Sequence, residues 1–158
     1  TESAVAELNN GSLLLASRQY QHGRGTRPSH AFARSDDGGA TWSETWTWGG
    51  SGRNCEASLL SVPHLGPTGT LFFATPRLPA AAWAAATPNA DVRQNLTVYE
   101  SLDGGRAWTI RAVAYDGLSA YSDMAYLPPR DGIGVLFERG VGGKQYTSVA
   151  FTVVPVGQ

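Results

Sequence analysis

Apolar and polar residues alternate along this chain in short runs, and few stretches carry a helical period. Residues 4–7 and 12–17 flank Asn9-Asn10-Gly11, a hairpin signal. His30 to Ser35 alternates next, and Trp42 to Trp48 follows, which predicts about four strands in one meander. A second set is expected at Ala57–Val62, Thr70–Ala74, Asn95–Ser101 and Trp108–Tyr115. A third begins at Ser122–Leu127 and continues through Gly132–Glu138 and Thr147–Val154. Pro128-Pro129 marks the turn between its first two strands. Residues 77–93, with an alanine run between prolines, interrupt the second set. Loops this long inside a compact domain are usually functional, although a plain surface excursion explains this one equally well.

One motif recurs. Ser35-Asp36-Asp37-Gly38-Gly39-Ala40-Thr41-Trp42 is echoed by Ser101-Leu102-Asp103-Gly104-Gly105-Arg106-Ala107-Trp108, and the two copies start 66 residues apart. A repeat at this spacing is the mark of a repeat architecture. Asp and Ser side chains bond nearby main-chain N–H groups and hold a tight turn, while Gly-Gly supplies the positive φ. The Trp is expected to cap the hydrophobic face of its repeat. Turn chemistry explains every position, so Asp37 and Asp103 read as structural rather than as catalytic acids. The expectation is an all-β propeller with about three blades present, over residues 1–50, 51–116 and 117–158. The last blade lacks an outer strand, and further blades are expected outside this sequence.

Composition narrows the function. The chain has 158 residues and a net charge of −1, which gives no reason to expect nucleic acid or an acidic membrane surface. No segment is long and apolar enough to span a bilayer as a helix. The single cysteine, Cys55, excludes an internal disulfide. His22, His30 and His64 lack metal-ligand spacing and are expected at the surface or in turns. The chain opens Thr1-Glu2-Ser3 inside a strand pattern, without an initiator Met or a signal peptide, which points to a fragment or a processed chain.

Several further motifs occur in a telling order. Glu2-Ser3-Ala4-Val5-Ala6-Glu7-Leu8-Asn9-Asn10-Gly11 is followed by Leu15-Ala16-Ser17-Arg18, Asn54-Cys55-Glu56-Ala57-Ser58 and Asp91-Val92-Arg93-Gln94-Asn95-Leu96-Thr97. Then come Ser119-Ala120-Tyr121-Ser122-Asp123-Met124 and Leu136-Phe137-Glu138. Together with the two Asp boxes, these resemble the C-terminal half of an exo-α-sialidase (neuraminidase) of the bacterial and lysosomal type, over nearly the whole chain. The resemblance implies a six-bladed propeller, a sialylated glycan as substrate, no metal or other cofactor, and a secreted, periplasmic or lysosomal setting. It also implies a partner, the N-terminal half of the same propeller, carrying the acid/base aspartate and the first arginine of a triad.

The residues make chemical sense in that light. Sialic acid is a sugar carboxylate, and arginine binds carboxylates through a planar two-pronged fork without losing its proton. By resemblance Arg18 and Arg93 are two members of the triad. Arg24, Arg27, Arg106, Arg111 and Arg130 read as rim arginines. Sialidases depart from the two-carboxylate glycosidase scheme by using a tyrosine nucleophile. A neutral phenol is not repelled by the substrate carboxylate, but it needs an adjacent base. By resemblance Tyr121 is that phenol and Glu2 its base. Tyr20, Tyr99, Tyr115, Tyr126 and Tyr146 read as core or rim aromatics, Glu7 as an outward-facing strand residue and Asp123 as structural. Glu138, at the end of a buried strand, needs a partner to offset its desolvation, and by resemblance orients a triad arginine from the missing half. Glu56 is placed near the glycerol tail of the sugar, where the family often has Gln. Three readings of function remain. The first is a retaining exo-α-sialidase. The second is a non-catalytic Asp-box propeller that binds a glycan or a protein. The third is a relative that transfers sialic acid or takes a related nonulosonic acid.

Overall fold

A computed structural model of the protein describes residues 2–19, 30–50, 55–66, 69–77 and 92–156. Among these there is no α-helix, and ten strands form two antiparallel sheets. The first sheet is a simple meander of β1 (Ser3–Glu7), β2 (Leu13–Arg18), β3 (His30–Ser35) and β4 (Trp46–Thr47). Strand β4 is far shorter than the Trp42–Trp48 run expected, because only Ala31 and Phe32 of β3 offer it a partner. The second sheet runs in order from β5 (Ser58–Val62) through β6 (Thr70–Pro76), β7 (Gln94–Ser101), β8 (Thr109–Leu127) and β9 (Gly132–Val141) to β10 (Lys144–Pro155).

Strand β8 changes the picture drawn from the sequence. The expected fourth strand of the second set and first strand of the third are one continuous strand of 19 residues. Its first part pairs with β7 and closes the second meander, and the part from Ser119 onward pairs with β9 and opens the third. Asp116 and Gly117, where the second and third blades were expected to meet, both lie within the strand. Pro128–Arg130 forms the expected turn as a short 3-10 helix ahead of β9. Most of the 77–93 insertion, residues 78–91 with its alanine run, lies outside the described residues, as do His22, Tyr20, Arg24, Arg27 and Asn54.

The two Ser-Asp-Gly turns share one set of hydrogen bonds. In the first, Ser35 Oγ donates to Asp37 Oδ1 (2.8 Å) and accepts Gly39 N–H (2.8 Å), and Asp37 Oδ1 accepts Thr41 N–H (2.8 Å). In the second, Ser101 Oγ donates to Asp103 Oδ1 (2.8 Å) and accepts Gly105 N–H (2.9 Å), and Asp103 accepts Ala107 N–H (2.9 Å). Gly39 and Gly105 hold φ of 93° and 88°, a region that side chains avoid. Both aspartates are thus spent on the turn.

The tryptophans that follow the turns diverge. Trp108 packs on Phe32 of the first meander and Phe73 of the second, with ring centroids 5.6 and 5.4 Å away. Trp42 is 40% exposed and belongs to neither buried core, contrary to the expectation for it. Phe73, fully buried, is the hub of this core and also meets His30, Trp48 and Tyr99. Burying a Phe side chain stabilises by roughly 1.5–3 kcal/mol. This aromatic layer therefore fixes how the first meander sits against the second. A second core, built on Phe72, Leu96, Val98, Ile133 and Val135, joins the second meander to the third.

Candidate active site

Antiparallel alternation delivers the candidate residues to one end of the sheets. Glu2 immediately precedes β1, Glu56 stands two residues before β5, and Tyr121 lies just after β8 begins to pair with β9. Each begins the first strand of its meander, and those strands touch in sequence, β1 with β5 and β5 with β8. Arg18 ends β2, which runs back along β1, and Arg93 precedes β7, which runs with β5. Main-chain bonds tie these ends together. Arg18 N–H donates to Glu2 O (2.8 Å), and Ser119 N–H donates to Arg93 O (3.0 Å).

The tightest group is Glu2, Arg18 and Tyr121. The Tyr121 hydroxyl donates to Glu2 Oε1 in a short hydrogen bond. The Arg18 Nη1 group donates to Glu2 Oε2 at 2.6 Å and reaches the Tyr121 hydroxyl at 3.4 Å. Partial burial works to raise the Glu2 pKa, but the bonds from Arg18 and Tyr121 and the charges of Arg18 and Arg93 outweigh it, and the carboxyl sits below its ordinary value. The same bond to Glu2, with desolvation and the Glu2 charge, pushes the Tyr121 phenol up. The resting pair is therefore a carboxylate accepting a proton-bearing phenol, the protonation state a base-assisted nucleophile needs.

Arg93 completes the group from the second meander. It is 7% exposed, its guanidinium lies 5.8 Å from the Tyr121 ring centroid, and its Nη1 donates to the Tyr146 hydroxyl at 3.2 Å. Tyr146 belongs to β10 and is half-exposed, in keeping with its reading as a core or rim aromatic, and its contact with Arg93 was not foreseen. Its φ of 59° and the shifted β9–β10 register around it are the physical reason, because they turn the ring out of the strand's alternation. No sequence pattern announces that irregularity.

Glu138 reaches the main chain of Tyr121, and Glu56 that of Ser122. Glu138 Oε2 accepts Tyr121 N–H at 3.2 Å, and Glu56 Oε2 accepts Ser122 N–H at 3.2 Å. Ser122 Oγ is 3.2 Å from Ser58 Oγ, a contact that sequence reasoning missed. Burial, followed by the nearby charges of Glu2, Asp123 and Glu138, pushes the Glu56 carboxyl up to about 7, against the Ser122 N–H bond that favours its ionised form. Asp123 Oδ1 accepts the Met124 N–H, in keeping with a structural role, and Glu7 is exposed as expected.

Other expectations need correcting. His30 is neither a surface nor a turn residue. It lies in β3, 1% exposed, with Nε2 3.0 Å from the Cys55 carbonyl, and desolvation lowers its pKa to about 4. Its ring packs edge-on to Phe73, which explains why an aromatic of modest polarity is tolerated there. Burial also pushes the neighbouring Cys55 thiol up to about 12, so it is no nucleophile. Arg111, expected in a rim salt bridge, instead donates twice to the Pro155 carbonyl, at 3.0 and 2.8 Å. No group of His, Cys, Asp and Glu suited to a metal ion occurs among the described residues.

No family model matches the sequence, and no curated protein matches it. Solved structures do. The NanB sialidase from Streptococcus pneumoniae aligns over 98% of this chain and 23% of its own, at 20% identity and a TM-score of 0.72. The Hadza microbial sialidase Hz136 aligns over 99% of this chain and 27% of its own, at 26% identity and a TM-score of 0.69. An α-L-arabinofuranosidase from Fusarium graminearum aligns over 86% of this chain and 39% of its own, at 20% identity and a TM-score of 0.60. The chain thus spans between about a quarter and two-fifths of the structures it matches. Over nearly its whole length it has the sialidase-type β-propeller fold.

Proposed function

We propose that this chain is the C-terminal half of the catalytic propeller of a retaining exo-α-sialidase, with blades at 1–50, 51–116 and 117–158. The observation that carries the reading is the contact of Tyr121 with Glu2 and Arg18, drawn from the third and first meanders across 119 and 103 residues of sequence. A scaffold alone has no use for a phenol and a carboxylate so joined beside two buried arginines. Arg18 and Arg93 take the substrate carboxylate in their forks. The Tyr121 oxygen attacks the anomeric carbon as its proton passes to Glu2, and the bond from that carbon to the aglycone oxygen breaks. An acid from the remaining blades protonates the leaving oxygen. Water then attacks the tyrosyl glycoside, its proton goes to that acid's conjugate base, and Glu2 returns the first proton to Tyr121. Apolar residues exposed on the outward face of β9 and β10, Leu136, Val149 and Phe151, support the inference that an adjoining blade completes the ring.

A second reading has one observation in its favour. The fold also matches an arabinofuranosidase, so the fold by itself leaves the sugar open. The test is release of a fluorogenic aglycone from an α-sialoside and from an α-L-arabinofuranoside by the ring-complete protein, beside Tyr121→Phe and Glu2→Gln. Turnover of the sialoside that collapses in Tyr121→Phe and drops about 10²- to 10⁴-fold in Glu2→Gln is expected. Sialoside turnover that survives Tyr121→Phe rules out the nucleophile. Binding without turnover of either sugar promotes the lectin-like reading.

A further inference from the structure

Strand β8 is irregular where Tyr121 stands. Ser119 pairs with Arg139 and Ser122 with Phe137, so three steps on β8 oppose two on β9. Ala120 and Tyr121 together face Glu138 across a β-bulge. Bulges re-aim side chains and recur beside active sites. They also weaken the ladder, because the extra residue has no strand partner of its own. A main-chain N–H in a regular ladder ends on a carbonyl of the neighbouring strand. Here the Tyr121 N–H ends on the side-chain carboxyl of Glu138, the residue the bulge opposes, and the next N–H, of Ser122, ends on that of Glu56. The two acceptors come from different elements, Glu138 from β9 and Glu56 from the segment ahead of β5. Hydrogen bonds to carboxylates are about twice as strong as those between neutral groups. Ser58 adds a third hold, on the Ser122 hydroxyl.

Two carboxyl groups close to Tyr121 also carry a cost. They add negative charge where an anionic sugar is proposed to bind, so their presence asks for a compensating role. We propose that Glu138 and Glu56 are positioning residues that pin the bulged main chain at Tyr121 and Ser122 from two sides, and so aim the Tyr121 hydroxyl at Glu2 and the substrate. This rests on Tyr121 being the nucleophile, and it differs from orienting an arginine or lining the glycerol pocket. The role requires an acceptor oxygen at each position, not a charge.

That requirement makes glutamine and alanine distinguishable. The experiment compares Glu138→Ala, Glu138→Gln, Glu56→Ala and Glu56→Gln in the ring-complete protein, with kcat and KM on a fluorogenic α-sialoside. Amide hydrogen exchange at Tyr121 and Ser122 is read by NMR in the same preparations. Each alanine variant should lose kcat by about 10- to 100-fold, as expected for a misplaced reacting group, with KM held within about twofold. Exchange should quicken about tenfold at the amide whose acceptor was removed. Each glutamine variant should restore most of both. Glutamine variants as slow as alanine, or alanine variants with unchanged kcat and exchange, would overturn the proposal. Should Glu138→Ala fail to fold, Glu138→Asp tests the same reach, and unaltered kcat there counts against it. If Tyr121→Phe keeps full turnover, the nucleophile reading fails by itself, and amide exchange still decides whether the two carboxyls hold the bulge.

Discussion

Two titratable groups near the junction of the first two meanders pull stability in opposite directions as pH changes. The folded chain holds the His30 pKa at about 4, whereas the unfolded imidazole titrates near 6.5. On acidification the unfolded state takes up this proton first, so stability is lost as pH falls from 6.5 toward 4. Glu56 behaves in the opposite sense, because burial lifts its pKa from 4.5 to about 7. The folded state keeps that proton longer, so stability is greatest below 4.5 and falls as pH climbs to about 7. At roughly 1.4 kcal/mol per pH unit the His30 gap amounts to about 3–4 kcal/mol, and the partly exposed Glu56 contributes somewhat less because solvent screens it. The wild-type chain should therefore be nearly flat between pH 4.5 and 6.5. Glu2, Asp37 and Asp103, whose pKa values are lowered, titrate below this window and leave it clean.

Removing either group should expose the other. His30→Gln keeps a donor for the Cys55 carbonyl and deletes the titration, so its stability should fall by about 3 kcal/mol from pH 4.5 to 7. Glu56→Gln should do the reverse and gain about 3 kcal/mol from pH 4.5 to 6.5. Urea unfolding followed by tryptophan fluorescence at stepped pH measures this, provided the m-value is constant. The slope is read, not the absolute stability, which His30→Gln also lowers through lost packing on Phe73. His30 bonds the carbonyl of the residue before Glu56, so the double variant reports their coupling as its departure from a flat profile. Two single variants that both retain the wild-type slope would falsify the reasoning.

Phe73→Ala should cost about 3–5 kcal/mol and Phe73→Leu far less, measured by urea unfolding. A loss under about 1 kcal/mol for the alanine would remove Phe73 from its organising role. Asp103→Ala strips the turn of the acceptor for the Arg106 and Ala107 amides and should cost about 1–2 kcal/mol by the same assay. Gly105→Ala should cost about 1–3 kcal/mol, since φ is positive there and a methyl would strike Leu14 of the first meander. Arg18→Lys and Arg93→Lys keep the charge but lose the fork. Each should raise KM for an α-sialoside about tenfold or more with a smaller change in kcat, and unchanged KM would argue against carboxylate binding there.

The meanders were legible because period-two alternation and turn chemistry are local. Asn9-Asn10-Gly11 and the two Ser-Asp-Gly boxes announced their turns, and the observed bonds use the same side chains the pattern singled out. What was lost depended on partners distant in sequence. Two strands were expected on either side of Asp116-Gly117, yet the chain runs through it as one strand, because β7 holds one part of β8 and β9 the other. His30 reads as a surface or turn residue, yet Phe73 of β6 and Trp48 just after β4 close over it.

The site divides along the same line. Glu2, Arg18, Arg93 and Tyr121 were singled out through motifs, and the fold gathers the other three around Tyr121. Glu138 and Glu56 were singled out as well, though for other roles, and what stayed hidden is the bulge they hold, because nothing local marks it. A bulge arises when two strands disagree in length, and only the pairing of Ser119 with Arg139 and Ser122 with Phe137 reveals it. Tyr146 enters for a similar reason, through a register shift in β10. Under the proposed function, the reacting groups sit where a motif can name them, while their aim depends on irregularities in strand pairing. A sialidase-like chain with the same motifs but regular pairing at this point would present its tyrosine on a different line. Deleting Ala120 makes that case directly. It should restore the ladder, raise protection at neighbouring amides and still abolish sialoside turnover, whereas turnover that survives the deletion would show that the bulge does not aim Tyr121.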